Sequence, residues 1–367
     1  MSTEDLPPVP LVDHHVHGAL RRDLTRAEFE SSITESDRPV PAWISTFDSS
    51  LGFAVRRWCA PVLDLPPYAD PSAYVERRRE LGAAEVNRRF LGGAGVARFL
   101  VETGFRGEEL LDPAGMAAAA RAKADEVVRL ETVAEELAGV AAADFAPRYA
   151  ERLAERAGTA VGLKTVVAYR HGLDFDPARP SAREVTAAAG DWLRAGGGRL
   201  TDPVLLRHVI WAGVDSRLPL QVHTGFGDPD LRLHRADPLL LTGFLEQVEP
   251  TGVPVLLLHC YPYHRQAAYL AHAYPHVHFD VGLALNYVGA AASTVLAEAL
   301  ELAPYAKVLY SSDAWGPAEL HYLGALLWRR AMSAVARAWA WPAGEAARVA
   351  EMMGSGNARR VYRLRES

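Results

Sequence analysis

Residues 11–18 read LVDHHVHG. An apolar lead runs into an aspartate, and three histidines follow within four positions. Successive side chains of a β-strand alternate between faces, so His15 and His17 share one face and His14 takes the other. The stretch therefore reads as a buried strand that delivers two imidazoles to one rim. Taken alone, it fits a metal site and a crowded surface equally well.

Similar apolar runs recur along the chain. They are ARFLVET (97–103), EVVRLE (126–131), AVGLKTVVAY (160–169), LPLQVHT (218–224), VPVLLLHC (253–260), HVHFDVG (276–282) and KVLYSSD (307–313). Runs this continuously apolar predict parallel strands covered on both faces. Helical patterns separate most of them. SAREVTAAAGDWLRAGG opens on a serine with glutamate three residues later, a capping box, and stops at glycines. TVAEELAGVAAADFAPRYAERLAERAG, TDPVLLRHVIWAGVDS and HRQAAYLAHAY have helical spacing too. Strand and helix alternating in this way predict one α/β domain over 1–367, a (β/α)8 TIM barrel. Residues 25–90 interrupt the pattern with a stretch longer than a usual barrel connection. Its helical pieces, such as PSAYVERRRELGAAEVNRRF, predict a helical insertion after strand 1, either over the barrel mouth or as a peripheral packing or dimerisation unit.

The bulk composition narrows the function class. The formal net charge is −6 and no long basic run occurs, so nothing favours nucleic acid or an anionic membrane as partner. Two cysteines without paired spacing, Cys59 and Cys260, fit a reducing cytoplasm. The acidic, proline-rich start MSTEDLPPVP lacks the pattern of a signal peptide. No unbroken apolar run has the ~18–20 residues of a membrane span. A small molecule is the expected partner, with a homodimer as the default assembly.

The strand ends carry the chemistry. His223 ends LPLQVHT, His259 ends VPVLLLHC and Asp313 ends KVLYSSD. In a barrel the C-terminal ends of the strands form the catalytic face. One histidine at such a position is most often a hydrogen-bonded structural residue. Five ligand-type side chains converging on one rim read as a metal centre. Lys164 lies within AVGLKTVVAY, and a buried lysine is costly unless its charge is paired, carried to the mouth or removed. Carbamylation would remove it: a neutral amine takes up carbon dioxide and becomes a carboxylate able to bridge two divalent cations.

His-x-His on the first strand, lysine on the fourth, histidines on the fifth and sixth, and aspartate on the eighth resemble the ligand set of the amidohydrolase superfamily. VHTGFGDPDLRLHRADP, LLLHCYPYHRQAAYLA, VLYSSDA and GNARRVYRL resemble its amidohydrolase-2 branch, in particular the amidohydrolase-like domain of FluG-type and nodulin-type proteins. The resemblance implies that His15 and His17 hold one metal with Asp313, that His223 and His259 hold a second, and that carbamylated Lys164 bridges them. Zinc suits these ligands, with manganese, iron or nickel as alternatives and a single ion if Lys164 is unmodified. His14 is not required by the pattern and reads as structural or supporting. The implied reaction is hydrolysis of a small-molecule C–N (amide) bond, in glutamyl or N-acyl amides for instance. Metal-bound hydroxide attacks, and Asp313 acts as general base and then acid. Decarboxylation of a small aromatic acid is the alternative on the same scaffold, and a non-catalytic barrel is the third reading. Rim positions make Tyr169, Arg170, Tyr261, Arg235 and Trp315 candidate substrate contacts, with Arg170 or a loop arginine on a carboxylate.

Overall fold

The computed structural model describes residues 9–365. Seven of the apolar runs form parallel strands, paired in chain order: β1 Leu11–Val16, β2 Val96–Glu102, β3 Lys123–Arg129, β4 Gly162–Thr165, β5 Leu220–Thr224, β6 Val255–His259 and β7 Val277–Phe279. The continuous apolar character follows from the two faces of this curled sheet. Val255 and Leu257 pack outward among the helices, whereas Leu256 and Leu258 pack inward with Val12, Leu100, Val127 and Leu309. The inner cluster is completed by Ala358, Val361 and Tyr362 from the C-terminal segment. That segment plugs one end of the sheet, so the opposite end is the one left to build a site.

The eighth run is not a regular strand, which corrects the expected count. Val308 bridges Phe279 in parallel, and Leu309 N–H donates to the Phe279 carbonyl at 3.0 Å. On the other flank His14 N–H donates to the Tyr310 carbonyl at 3.2 Å, and Asp313 N–H to the His15 carbonyl at 3.1 Å. Residues 308–313 thus join β7 to β1 without a full ladder. The reason lies in two diverted donors: Tyr310 N–H bonds the Met353 carbonyl and Ser312 N–H bonds Asp13 Oδ1.

Two other runs are shorter as strands than the sequence predicts. AVGLKTVVAY yields only Gly162–Thr165, and Val167–Arg170 is a helical turn. Glu131 ends the strand by accepting both Thr165 Oγ1, at 2.6 Å, and Val166 N–H, at 2.9 Å. EVVRLE leaves the sheet after Arg129, and Leu130–Glu135 is helical. The capping box of Ser181 and Glu184 forms as read, at the head of the helix Ala182–Arg194. Gly282–Leu300 is apolar and long enough by composition to cross a membrane. Here it is two helices, Gly282–Val288 and Ala292–Leu300, that bury Leu283, Leu285, Val295 and Leu296 within the protein.

Between β1 and β2 lie the helices Arg26–Ser31, Ser50–Ala54, Pro71–Leu81 and Ala83–Gly93. Pro71–Leu81 is tied to the long helix Ala318–Ala338 by a buried ion pair. Arg78 Nε donates to Glu319 Oε1 at 2.6 Å, and the Tyr74 hydroxyl donates to the same oxygen at 2.9 Å. Removing one partner strands the other charge in the interior. Arg78→Met is therefore expected to cost about 3–5 kcal/mol of unfolding free energy, measured by denaturant titration; a loss within the ~0.5 kcal/mol typical of a surface substitution would show that the pair does not hold this segment.

Candidate metal centre

The strand-end side chains meet around one carboxylate. Asp313 Oδ1 lies 3.1 Å from His15 Nε2 and 3.8 Å from His17 Nε2, while Oδ2 lies 3.3 Å from His259 Nδ1. Asp313 and His259 both have positive φ, +47° and +68°, uncommon for residues with a side chain. These turns point the ends of the segments toward a common centre instead of continuing along the sheet.

Supporting side chains fix which ring nitrogen of His15 and of His17 is free. Gln221 Nε2 donates to the His14 carbonyl at 2.8 Å and to the Tyr362 hydroxyl at 2.7 Å. A carbonyl only accepts, so the amide oxygen of Gln221 faces His15 Nδ1, 2.7 Å away. His15 Nδ1 then carries the hydrogen, leaving the Nε2 lone pair toward Asp313. Glu102 does the same for His17, with Oε2 at 3.1 Å from Nδ1. Arg129 grips Glu102 through two bonds of 3.0 and 2.7 Å. Asp280 accepts the backbone N–H of His259 at 3.0 Å through Oδ1 and contacts His14 Nε2 at 3.0 Å through Oδ2. His14 thus supports the site from behind. Simple alternation does not place it, because the register of β1 on β2 shifts between Asp13 and Val16.

Burial holds His15, His223 and His259 well below the usual histidine range, with the Lys164 charge and neighbouring imidazoles adding to it. Neutral imidazole is the form that ligates metal. Burial also brings Lys164 down to about 8, opposed by the Asp313 charge, and its Nζ lies 3.1 Å from His15 Nε2. Asp313 is raised by burial, against the pull of Lys164.

These residues fit a divalent cation. His15, His17 and Asp313 each offer one donor atom, all within 4.8 Å of one another. His223 Nε2 and His259 Nδ1 are buried without a hydrogen-bond partner, a costly state for polar atoms that a cation relieves. The His223 and His259 rings are 4.6 Å apart, centroid to centroid.

His17, Lys164, His223, His259 and Asp313 line one cavity of about 300 Å³, together with Tyr169, Arg170 and Trp315. Tyr261 and Arg235, read from sequence as substrate contacts, are not among its lining residues. Tyr261 stacks on His264, with rings 5.7 Å apart and 2° from parallel. Arg235 is held by Asp174 through Nη2 at 2.6 Å and Nε at 2.9 Å. The sequence reading missed Glu35, Phe105, Arg129 and Arg199, which also line the cavity. It missed the supporting roles of Glu102 and Gln221 as well. Glu102 carries the same signal as the ligands, a polar residue ending an apolar strand. Glu35 comes from an irregular segment and carries no such signal.

Comparison with known proteins agrees with this geometry. The amidohydrolase family model of the amidohydrolase-2 type matches residues 108–364. Over 167 residues, 42% of the chain, the sequence is 35% identical to Protein fluG of Emericella nidulans, of whose length that match spans only 19%. A crystal structure from Lactobacillus casei, named for a metal-dependent hydrolase, superposes with a TM-score of 0.88 at 27% identity, covering 100% of both chains. A uronate isomerase from Bacillus halodurans shares the fold, with a TM-score of 0.65 at 13% identity over 98% of this chain and 94% of that one. With its ligand residues gathered at one end of the sheet and the family match spanning most of its length, the chain belongs to the amidohydrolase family.

Proposed function

We propose that this protein is a metal-dependent hydrolase of an amide C–N bond in a small molecule. The observation that carries the reading is the convergence of His17, His223, His259 and Asp313 on one cavity, with His15 beside Asp313 beneath it and two buried ring nitrogens lacking partners. His15, His17 and Asp313 would hold one cation, His223 and His259 a second, with Lys164 as a carbamate joining the two sets. When bound, a divalent cation supplies Lewis acidity and makes water a competent nucleophile near neutral pH.

The remaining roles fall to side chains. Asp313 accepts a proton from the attacking water and returns it to the departing nitrogen. Its N–H bond to the His15 carbonyl, at 3.1 Å, keeps the carboxylate in place during both transfers. Arg170 supplies a donor for a substrate carboxylate, because its Nη1 is buried without a partner while Nη2 lies 3.2 Å from Glu135. Tyr169 and Trp315 form walls. The helical segment between β1 and β2 acts as an insertion at the mouth, since it sends Glu35 into the cavity lining.

A second reading draws on one observation. His15, His17 and Asp313 alone make the tight donor group, and Lys164 as a free amine sits against His15. A single-ion decarboxylase would need no more than that. Metal stoichiometry separates the two.

Asp313→Asn is expected to keep most bound zinc and to lower turnover by about 10²–10⁴-fold, the usual contribution of a positioned acid–base group; steady-state rates with matched metal analysis measure this, and an unimpaired rate would remove Asp313 from the proton transfers. Zinc analysis of the wild-type chain should give two equivalents, and Lys164→Met about one. Equal content in both proteins would reject the lysine bridge. Carbamylation requires the neutral amine, and Lys164 titrates at about 8. Its neutral fraction therefore rises with pH and levels off above that value. A ¹³C carbamate signal from labelled bicarbonate should be stronger at pH 8 than at pH 6 in metal-free protein, and absent from Lys164→Met.

A further inference from the structure

The cavity carries charge that its own contacts leave uncompensated. Arg129 is taken by Glu102, and Arg199 pairs with Asp230 at 2.8 Å. Arg170 pairs with Glu135 at 3.2 Å through Nη2 alone, which leaves its Nη1 free, and Glu35 and Asp228 remain. Only 10% of the Arg170 side chain is exposed, and its buried Nη1 has no partner. Glu35 Oε1 accepts the Tyr287 hydroxyl at 2.8 Å, and Asp228 Oδ1 accepts the Asp230 N–H at 2.9 Å. Among the described residues, neither carboxylate has a cationic side chain within ion-pair distance.

The opposite charges occupy different arcs of the rim. Arg170 follows β4 and leans toward Glu135, which follows β3. Asp228 follows β5, and its neighbour Phe226 packs on Tyr287 beyond β7 with ring centroids 5.6 Å apart. Tyr287 in turn holds Glu35. His17, His223, His259 and Asp313 line the same cavity as both arcs. Burial lifts the Glu35 carboxyl, and the Asp228 charge lifts it further, a tension that a bound cation relieves. The unpartnered Nη1 of Arg170, in the same cavity, independently calls for a ligand.

We infer that Glu35 and Asp228 form a cation subsite across the mouth from an anion subsite at Arg170. The substrate is then a short amide with an ammonium on one side of the scissile C–N bond and a carboxylate on the other, as in an unblocked dipeptide. This rests on the hydrolase reading above. In the cleavage the water oxygen bonds to the acyl carbon, the C–N bond breaks, and a water proton ends on the new amine. A cavity of about 300 Å³, at the small end of ligand pockets, suits two residues and excludes a folded protein segment.

The test uses the zinc-loaded full chain and four matched amides. L-Ala-L-Ala carries both charges, N-propionyl-L-alanine only the carboxylate, L-alanyl ethylamide only the ammonium, and N-ethylpropionamide neither. The dipeptide is expected to have the highest kcat/KM, by at least about tenfold over each singly charged amide, as charge-assisted hydrogen bonds in a dry pocket provide. Glu35→Gln with Asp228→Asn should shrink the preference over N-propionyl-L-alanine at least about tenfold, and Arg170→Met the preference over L-alanyl ethylamide by a similar factor. Each preference is a ratio within one protein, so a loss of folded fraction cancels. A singly charged amide equal to the dipeptide overturns the inference. So does a preference for γ-L-glutamyl ethylamide, which holds both charges on the acyl side. If no amide is cleaved, the hydrolase reading fails, and calorimetric binding of the same compounds decides the subsites alone: tighter dipeptide binding that the variants abolish upholds them, and equal affinities overturn them.

Discussion

The carboxylate of Asp313, set against His15, His17 and His259, is the contact around which this protein is organised. To share a cation with that carboxylate, three imidazoles must each aim a nitrogen lone pair at it, and none can carry a full charge. Burial secures the second condition by holding the histidines neutral. The first condition needs partners on the far side of the rings, and those partners account for much of the buried polarity. Glu102 serves His17 and Gln221 serves His15. Asp280 fixes the His259 backbone.

That requirement reaches to the opposite end of the sheet. Gln221 can orient His15 only because the His14 carbonyl and the Tyr362 hydroxyl take its two amide hydrogens. Tyr362 belongs to the apolar cluster that seals the interior with Ala358 and Val361. The C-terminal segment therefore does two jobs with one residue: its ring packs the core, and its hydroxyl sets an amide that sets an imidazole. A change at Tyr362 would be felt at the His15 ring without any contact between the two.

The sequence displayed the parts of this design that depend on local pattern. Apolar runs ending in His223, His259 and Asp313 exposed both the strands and their chemistry, because a buried strand has few reasons to end in a polar residue. Lys164 stood out for the same reason. Less visible was anything created by contact between distant segments. The eighth run looks like the other seven, yet Asp13 and Met353 divert its backbone donors, and no local signal reveals that. Tyr261 and Arg235 have the spacing of rim residues, but His264 and Asp174 claim them. Glu35 lies in a stretch without periodicity and reaches the cavity only through the packing that brings it to Tyr287.

Glu35 also bears on why the chain interposes so much structure between β1 and β2. The helices there bury a charged pair with the long helix Ala318–Ala338, Arg78 with Glu319, at a desolvation cost that an apolar pair would avoid. What such a pair provides is a fixed position, since a bidentate guanidinium and a tyrosine hydroxyl converge on one carboxylate. A rigidly seated helix Pro71–Leu81 anchors the segment that precedes it, and that segment carries Glu35 into the cavity lining. Of the charges proposed to select a substrate, Glu35 comes from what the chain adds to the sheet, so its part in that selection would depend on how firmly the addition is held.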